Sequence, residues 1–344
     1  MAVAIPGALA AYCWSERVAI MYQSEPPADS AQPGRVTRVE RGAVVVIDAS
    51  GSEKPYVLAG VAAVGDWVIL DGPRVAGVLP RWSSLVRQDA DTAGVHVLAA
   101  NIDVVLVTIP GDRPNITRVE RELLIAWESG ARPVVLLTKA DLAPSGLQEN
   151  LTRRLAGVDV VATSTETGTG VAEVAALLAP DRTGVLLGPS GSGKSSLTNA
   201  LVGEDRQTIA AVRVGDRRGR HTTTARYLLA LPGGGVVIDT PGLRSLGLVS
   251  ADQLDQAFPD IDELAASCRF ADCAHGSEPG CAVTAAVIAG TLPSQRLASY
   301  QKLGREGASE RLRGDPIARR EAKRLWKQRA LDARRRDKRR RPDD

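Results

Sequence analysis

The chain has 344 residues, 44% of them hydrophobic, with 43 Lys+Arg against 40 Asp+Glu. That length can bury two or three cores, so several domains are expected, and with only two phenylalanines those cores must be aliphatic. No apolar run is long enough to span a bilayer and no Lys or Arg precedes Arg17, so neither a membrane anchor nor a secretory leader is expected; the reading is a soluble, cytoplasmic chain, taken as a monomer.

Residues 1–33 carry a weak structural signal, with Pro26-Pro27 in a linker-like stretch, and are expected to be a flexible N-terminal segment. From 34 to 90 the pattern is short strands and tight turns: Arg35–Arg38, Ala43–Asp48, Pro55–Ala59, Asp66–Leu70 and Val75–Leu79. Five strands in this space suit an OB-type β-barrel, with an SH3-like packing barrel as the alternative. Arg35, Arg38, Arg41, Arg81 and Arg87 offer it a basic, nucleic-acid-binding surface.

Residues 91–247 alternate apolar strands with amphipathic helices, as a parallel α/β sheet covered on both faces requires. One helix is bounded by a capping box at Thr117-x-x-Glu120 and by Gly130, with Leu123, Leu124 and Trp127 on its apolar face. The strand Val134–Leu137 runs into Thr138-Lys139-Ala140-Asp141. Asp141 is placed to accept from the guanine N1–H and 2-amino group, which adenine cannot supply, and the Lys139 stem would lie along the base. Thr138 stands where Asn is commoner, which weakens one supporting contact. Ser164 and Thr165 follow a further strand, where another guanine-contacting loop belongs.

Strand Val185–Leu187 then leads into Gly188-Pro189-Ser190-Gly191-Ser192-Gly193-Lys194-Ser195-Ser196, a GxxxxGK[ST] phosphate loop in its strand–loop–helix context. Its glycines let successive N–H groups turn toward a β-phosphate; Lys194 would bridge the β- and γ-phosphates, and Ser195 would ligate magnesium. Downstream, Arg217-Arg218-Gly219-Arg220-His221-Thr222-Thr223-Thr224 forms a basic first switch, whose Thr223 would close over the magnesium. Strand Val236–Ile238 ends in Asp239-Thr240-Pro241-Gly242, where Asp239 would hold the magnesium and the Gly242 amide would sense the γ-phosphate. Leu243 follows where many GTPases carry a water-orienting Gln, so another group must orient the water. His221 is the catalytic candidate, a surface loop histidine the alternative. The guanine-reading motif precedes the phosphate loop, and that order identifies a circularly permuted GTPase domain, binding GTP and GDP.

A helix is expected to open residues 248–303 with a capping box at Ser250-x-x-Gln253 and Leu254, Phe258 and Ile261 at helical spacing. At its centre, Cys268, Cys273, His275 and Cys281 complete a tetrahedral shell for one structural zinc, leaving no open position; a disulfide framework is disfavoured in a reducing compartment. Cys13 stands apart with no assigned role. Residues 304–344 form a basic C-terminal tail: 17 Lys+Arg against 8 Asp+Glu from Gln301 onward gives +9, leaving −6 for the rest. Such a run is a solvated arm or the footprint of a phosphate-rich partner.

The barrel, the permuted motifs, Gly219-Arg220-His221-Thr222-Thr223 and the Cys268/Cys273/His275/Glu278-Pro279-Gly280-Cys281 pattern together resemble the RsgA (YjeQ) family of ribosome small subunit-dependent GTPases, over about residues 33–302. The resemblance implies GTP hydrolysis stimulated by the small ribosomal subunit and its rRNA late in subunit maturation, and it supports His221 as catalytic. Two rivals are a permuted GTPase of large-subunit assembly and an RNA-binding assembly protein that uses GTP mainly as a conformational switch. In this order of motifs the second switch runs directly into the zinc-bearing unit, so nucleotide state is expected to move that unit.

Overall fold

A computed structural model describes residues 7–25, 31–40, 43–58, 60–88, 95–155, 157–203, 226–239, 254–276 and 278–314. The sequence-predicted barrel strands are present as β1 (Gln32–Glu40), β2 (Ala43–Asp48), β3 (Glu53–Leu58), β4 (Trp67–Asp71) and β5 (Arg74–Val78). They close in the order β1-β2-β3-β5-β4-β1, with β3–β5 parallel and the other pairs antiparallel. This is the OB arrangement. Closure makes β1 serve two neighbours, and Gly34 sits where they converge: a Cβ there would lie 2.5 Å from Val46 Cγ1 and 2.9 Å from Leu70 Cδ1.

The flexible segment expected through residue 33 is corrected in part. Helices α1 (Gly7–Ala10) and α2 (Glu16–Ser24) bring Leu9, Trp14, Val18 and Ala19 against Ile47, Trp67 and Leu79 of the barrel. Trp14 meets Trp67 edge to face at 5.3 Å. Helices this short have no stability of their own, so their periodicity is weak and only the barrel's aromatic face fixes them.

The expected basic surface of the barrel is corrected in part, although Arg87 is exposed as expected. Arg35 is wholly buried. Arg81 makes a bidentate pair with buried Asp66 at 2.7 and 2.6 Å, and Arg38 pairs with Glu40 while lying over the Tyr227 ring. Local pattern shows where these cations fall in the sequence but not the acceptors, Asp66 for Arg81 and Tyr12 O, Gly65 O and Thr183 Oγ1 for Arg35, that the fold brings to them. Arg41 lies outside the described residues.

A hairpin of β6 (Ser84–Gln88) and β7 (Val95–Ala100) leads into the α/β domain. Its strands are β8 (Val104–Pro110), β9 (Arg132–Thr138), β10 (Asp159–Ala162), β11 (Thr183–Leu187), β12 (Tyr227–Ala230) and β13 (Val236–Asp239), in the order β10-β9-β8-β11-β13-β12. All are parallel except β12, which also bridges to β1 at Arg38↔Tyr227 and so joins the sheet to the barrel. Every residue of β8 is buried, as a central parallel strand demands.

Helix α3 (Ile116–Glu128) corrects the expected capping box. Asn115, in extended backbone, is the N-cap and its Oδ1 accepts from Arg118 N at 3.1 Å. Glu120 is instead fully buried, accepting from Arg154 and Arg296. The helix ends as expected, at Gly130 with φ +84°.

In the C-terminal unit, the single helix expected across Leu254–Ile261 is two: α7 (Leu254–Ala257) and α8 (Pro259–Ala265), numbered after α4 (Leu147–Arg154), α5 (Val171–Leu178) and α6 (Lys194–Val202). Pro259 disfavours helical backbone at Phe258, which takes φ −134° and breaks the run. The Ser250–Gln253 box lies outside the described residues. Helices α9 (Ala282–Ile288) and α10 (Ser294–Gly314) complete the unit, and the tail beyond 314 also lies outside them.

Candidate nucleotide site and metal centre

The carboxyl ends of β8, β9, β10, β11 and β13 all point to one edge of the sheet, where ligands of open α/β sheets bind. The phosphate loop leaves β11 there. Gly188, Gly191 and Gly193 have φ of +141°, +78° and +84°, conformations that side-chain-bearing residues rarely adopt, and α6 begins at Lys194. Lys194 Nζ folds over the loop, donating to Gly188 O at 2.8 Å and Pro189 O at 2.6 Å. Ser195 and Ser196 are exposed at the helix start, and Asp239 ends the neighbouring β13.

The guanine-side loop leaves β9. Thr138 is buried, and its hydroxyl lies 2.7 Å from Ser192 O and 3.3 Å from Ile109 O. The hydroxyl fastens the guanine-side loop to the phosphate loop. Lys139 takes a left-handed φ of +51°, and its ammonium pairs with Asp112 at 2.9 Å, which holds that carboxyl below its ordinary pKa. Asp141 is exposed in the single turn Ala140–Leu142, clear to meet a base edge. Ala140 N donates to Thr163 O, and Ser164, buried, organises the next loop by accepting from Thr167 N at 3.2 Å. Thr165 is exposed beside it.

The described residues thus bring together Thr138, Lys139, Asp141, Ser164, Thr165, residues 188–196 and Asp239. His221, Thr222, Thr223 and Gly242 lie outside them. Sequence reading missed Asp112, which holds Lys139, and Thr108, which lies beneath the phosphate loop. The one signal for Thr108 was a single hydroxyl in the otherwise apolar strand Val104–Pro110.

The ligand atoms of Cys268, Cys273, His275 and Cys281 all lie within 4.8 Å of one another, and the cysteines are free of disulfides. His275 Nδ1 is 3.7 Å from Cys268 Sγ and 3.6 Å from Cys281 Sγ, and those two sulfurs are 3.9 Å apart. Metal–ligand bonds of about 2.0–2.3 Å around a tetrahedron give edges of about 3.5–3.8 Å, so this donor set could hold a metal ion. Burial pushes the Cys281 thiol up, but the Thr284 hydroxyl and backbone N–H, with His275 and Cys273, outweigh it and bring the thiol down to about 6. That favours the thiolate a metal needs.

Residues outside the ligand set brace the centre. Glu278 accepts from Gly276 N at 2.7 Å and Ala274 N at 3.3 Å, and Gln301 on α10 donates to His275 O at 2.8 Å, holding His275 at φ +57°.

A family model described as RsgA GTPase matches residues 78–249. The chain is 44% identical over 341 residues to a Streptomyces coelicolor protein named small ribosomal subunit biogenesis GTPase RsgA, covering 94% of this chain and 93% of that one. It is 46% identical over 318 residues to the protein of the same name from Streptomyces avermitilis, covering 87% and 86%. Among solved structures it is similar to YjeQ from Thermotoga maritima, with TM-score 0.61 and 26% identity over 80% of this chain and 98% of that one. It is also similar to YloQ, described as a circularly permuted GTPase, with TM-score 0.58 and 25% identity over 82% and 96%. With its phosphate loop downstream of its guanine-side loop, an OB barrel before them and a Cys3His cluster after, the chain belongs to the RsgA GTPase family.

Proposed function

We propose that this protein hydrolyses GTP to GDP and phosphate during maturation of the small ribosomal subunit, in the cytoplasm and as a monomer, with the subunit and its rRNA as the stimulating partner. The observation that carries the reading is the placement of Asp141, Lys194, Ser195 and Asp239 at the carboxyl ends of β9, β11 and β13 on one edge of the parallel sheet. The names of the curated relatives favour the small over the large subunit. Among the described residues, no helix is long and apolar enough to cross a membrane.

Asp141 reads the guanine edge, and the loop N–H groups and Lys194 neutralise the β- and γ-phosphates. Ser195 and Asp239, both oxygen donors facing the same edge, suit magnesium, with Thr223 as a further candidate ligand; bound there, the ion would offset charge on the phosphates. His221 orients the attacking water, the task Leu243 cannot perform, and Gly242 reports the γ-phosphate. Cys268, Cys273, His275 and Cys281 hold one structural zinc, since three sulfurs and an imidazole nitrogen leave no open position.

Multiple-turnover GTP hydrolysis with purified small subunits tests this. The isolated protein should turn over slowly, on the order of 10⁻⁴–10⁻³ s⁻¹, and subunits should stimulate it by roughly 10³–10⁵-fold. Equal stimulation by large subunits, or none by either, removes the assignment. Asp141→Asn should favour xanthine over guanine nucleotides, and His221→Ala should reduce stimulated turnover while sparing GTP binding.

A further inference from the structure

Thr108 belongs to none of the nucleotide-binding motifs, yet the phosphate loop rests on it. It lies near the end of β8, is 1% exposed, and its Oγ1 is 2.8 Å from Leu187 O and 2.7 Å from Ser192 Oγ. Approach is close enough that a Cβ on Gly188 would fall 1.9 Å from Thr108 Oγ1. The first residue of the loop is therefore seated directly on the hydroxyl.

Hydrogen counting gives the bonds a direction. Leu187 O can only accept, so the one Thr108 hydroxyl proton goes to it, and Ser192 must donate to Thr108 Oγ1. Ser192 Oγ keeps lone pairs that face Lys194 Nζ at 3.4 Å. A directed chain thus runs from Lys194 through Ser192 and Thr108 to the last carbonyl of β11. Ser192 is 0% exposed, so water cannot take the place of either partner. Its carbonyl is bound separately by the Thr138 hydroxyl at 2.7 Å. One loop residue is held by its side chain from β8 and by its main chain from the guanine-side loop.

We propose that Thr108 is a positioning residue for GTP binding, fixing the phosphate loop through Ser192 so that the loop's N–H groups are preset for the phosphates. The role rests on the reading of this site as a guanine-nucleotide site. Removing the hydroxyl while keeping the shape, as in Thr108→Val, leaves the buried Ser192 hydroxyl and Leu187 carbonyl short of a partner. The loop then settles differently, and nucleotide binding bears the cost of restoring it.

The test measures GDP and GTP dissociation constants, steady-state kcat and KM, and nucleotide-free melting temperature for the full chain and four variants: Thr108→Val, Thr108→Ser, Ser192→Ala and the Thr108→Val/Ser192→Ala pair. Thr108→Val should weaken both nucleotides by about 5–30-fold, the loss expected from one or two buried hydrogen bonds, and raise KM far more than it changes kcat. Thr108→Ser, which restores the hydroxyl, should return affinity to within about threefold. Ser192→Ala should weaken binding less, and the double variant should be no weaker than Thr108→Val alone, because both changes remove the same bond. Unchanged affinity in Thr108→Val, failure of Thr108→Ser to restore it, or additive losses in the pair would overturn the proposal. If Thr108→Val does not fold, Ser192→Ala decides: weaker binding at an unchanged melting temperature supports the role, and unchanged binding overturns it. A wild-type chain without guanine-nucleotide affinity would instead defeat the GTPase reading itself.

Discussion

Arg35 and Arg296 are both enclosed, at 0% and 2% exposure, and each sits where another domain meets the nucleotide-binding sheet, but their acceptors differ. Arg35, on β1 of the barrel, donates to Tyr12 O and Gly65 O and, at 2.6 Å, to Thr183 Oγ1 at the start of the phosphate-loop strand, with its guanidinium over Trp67. Its direct acceptors are neutral, and burial pushes its pKa below the ordinary arginine value. Arg296, on α10, forks onto Asp260 with two bonds of 2.7 Å and reaches Glu120 on α3 at 3.2 Å, with Phe258 beneath it. Glu120 is shared with Arg154 of α4, the helix that follows the guanine-side loop.

Main-chain bonding accompanies the first joint. Ala100 N donates to Val64 O at 2.9 Å and β1 bridges β12, and the Asn101 side chain adds a bond from Nδ2 to Gly65 O. At the second joint the described polar links are carried by side chains on helices. The barrel is thus continued into the sheet, whereas the Cys3His unit is latched to it by side-chain ion pairs.

Four measurements break or sharpen that contrast. Removing the zinc proposed for the Cys3His cluster has the largest expected effect, since structural zinc supplies about 10–16 kcal/mol of apparent binding energy. Chelation should raise hydrogen exchange across Cys268–Cys281 and α10 while barrel amides such as Val36 and Val46 stay protected. Barrel exchange rising in step would show that the two joints are not independent.

Next comes Arg296→Met, which leaves Glu120 buried with one partner. Chemical denaturation should register a loss of about 3–5 kcal/mol, and Glu120→Gln added to it should recover part, because the stranded charge is the main cost. Simple additivity of the two changes would contradict the latch.

Arg35→Met should cost less, about 1–3 kcal/mol, because the groups left behind are neutral and Gly65 O keeps its bond from Asn101. A greater loss at Arg35 than at Arg296 would reverse the comparison. Smallest is Arg121→Ala, which removes the partly exposed 3.4 Å pair with Glu306 across the second joint. It should change stability by about 0–1 kcal/mol, and by nothing measurable in high salt.

The barrel strands were legible because period-2 alternation and the Gly and Asp turns between them are local signals, and β2 has the bounds expected for it. The Cys3His cluster was legible because its four candidate ligands fall within fourteen residues. Arg35 and Arg81 misled for the opposite reason: a cation looks like surface until a carbonyl or carboxylate distant in the sequence binds it. The expected box at Thr117-x-x-Glu120 failed in the same way, since Arg154 and Arg296 claim the Glu120 carboxylate from outside the helix. Of the candidate site, residues 188–196, Asp141, Ser164 and Asp239 share one edge of the sheet as expected. His221, Thr222, Thr223 and Gly242 fall beyond the described residues.

Sequence alone located the phosphate loop, the guanine-side loop and the Cys3His cluster, because each is built from a few neighbouring residues whose backbone conformation is local. The order of those motifs determined the permutation. Tertiary structure alone decided which polar side chains support them. Thr108 meets Ser192 across 84 positions and Arg296 meets Glu120 across 176, and such pairs form only where the folded chain excludes water and buried polar groups must be satisfied by protein atoms.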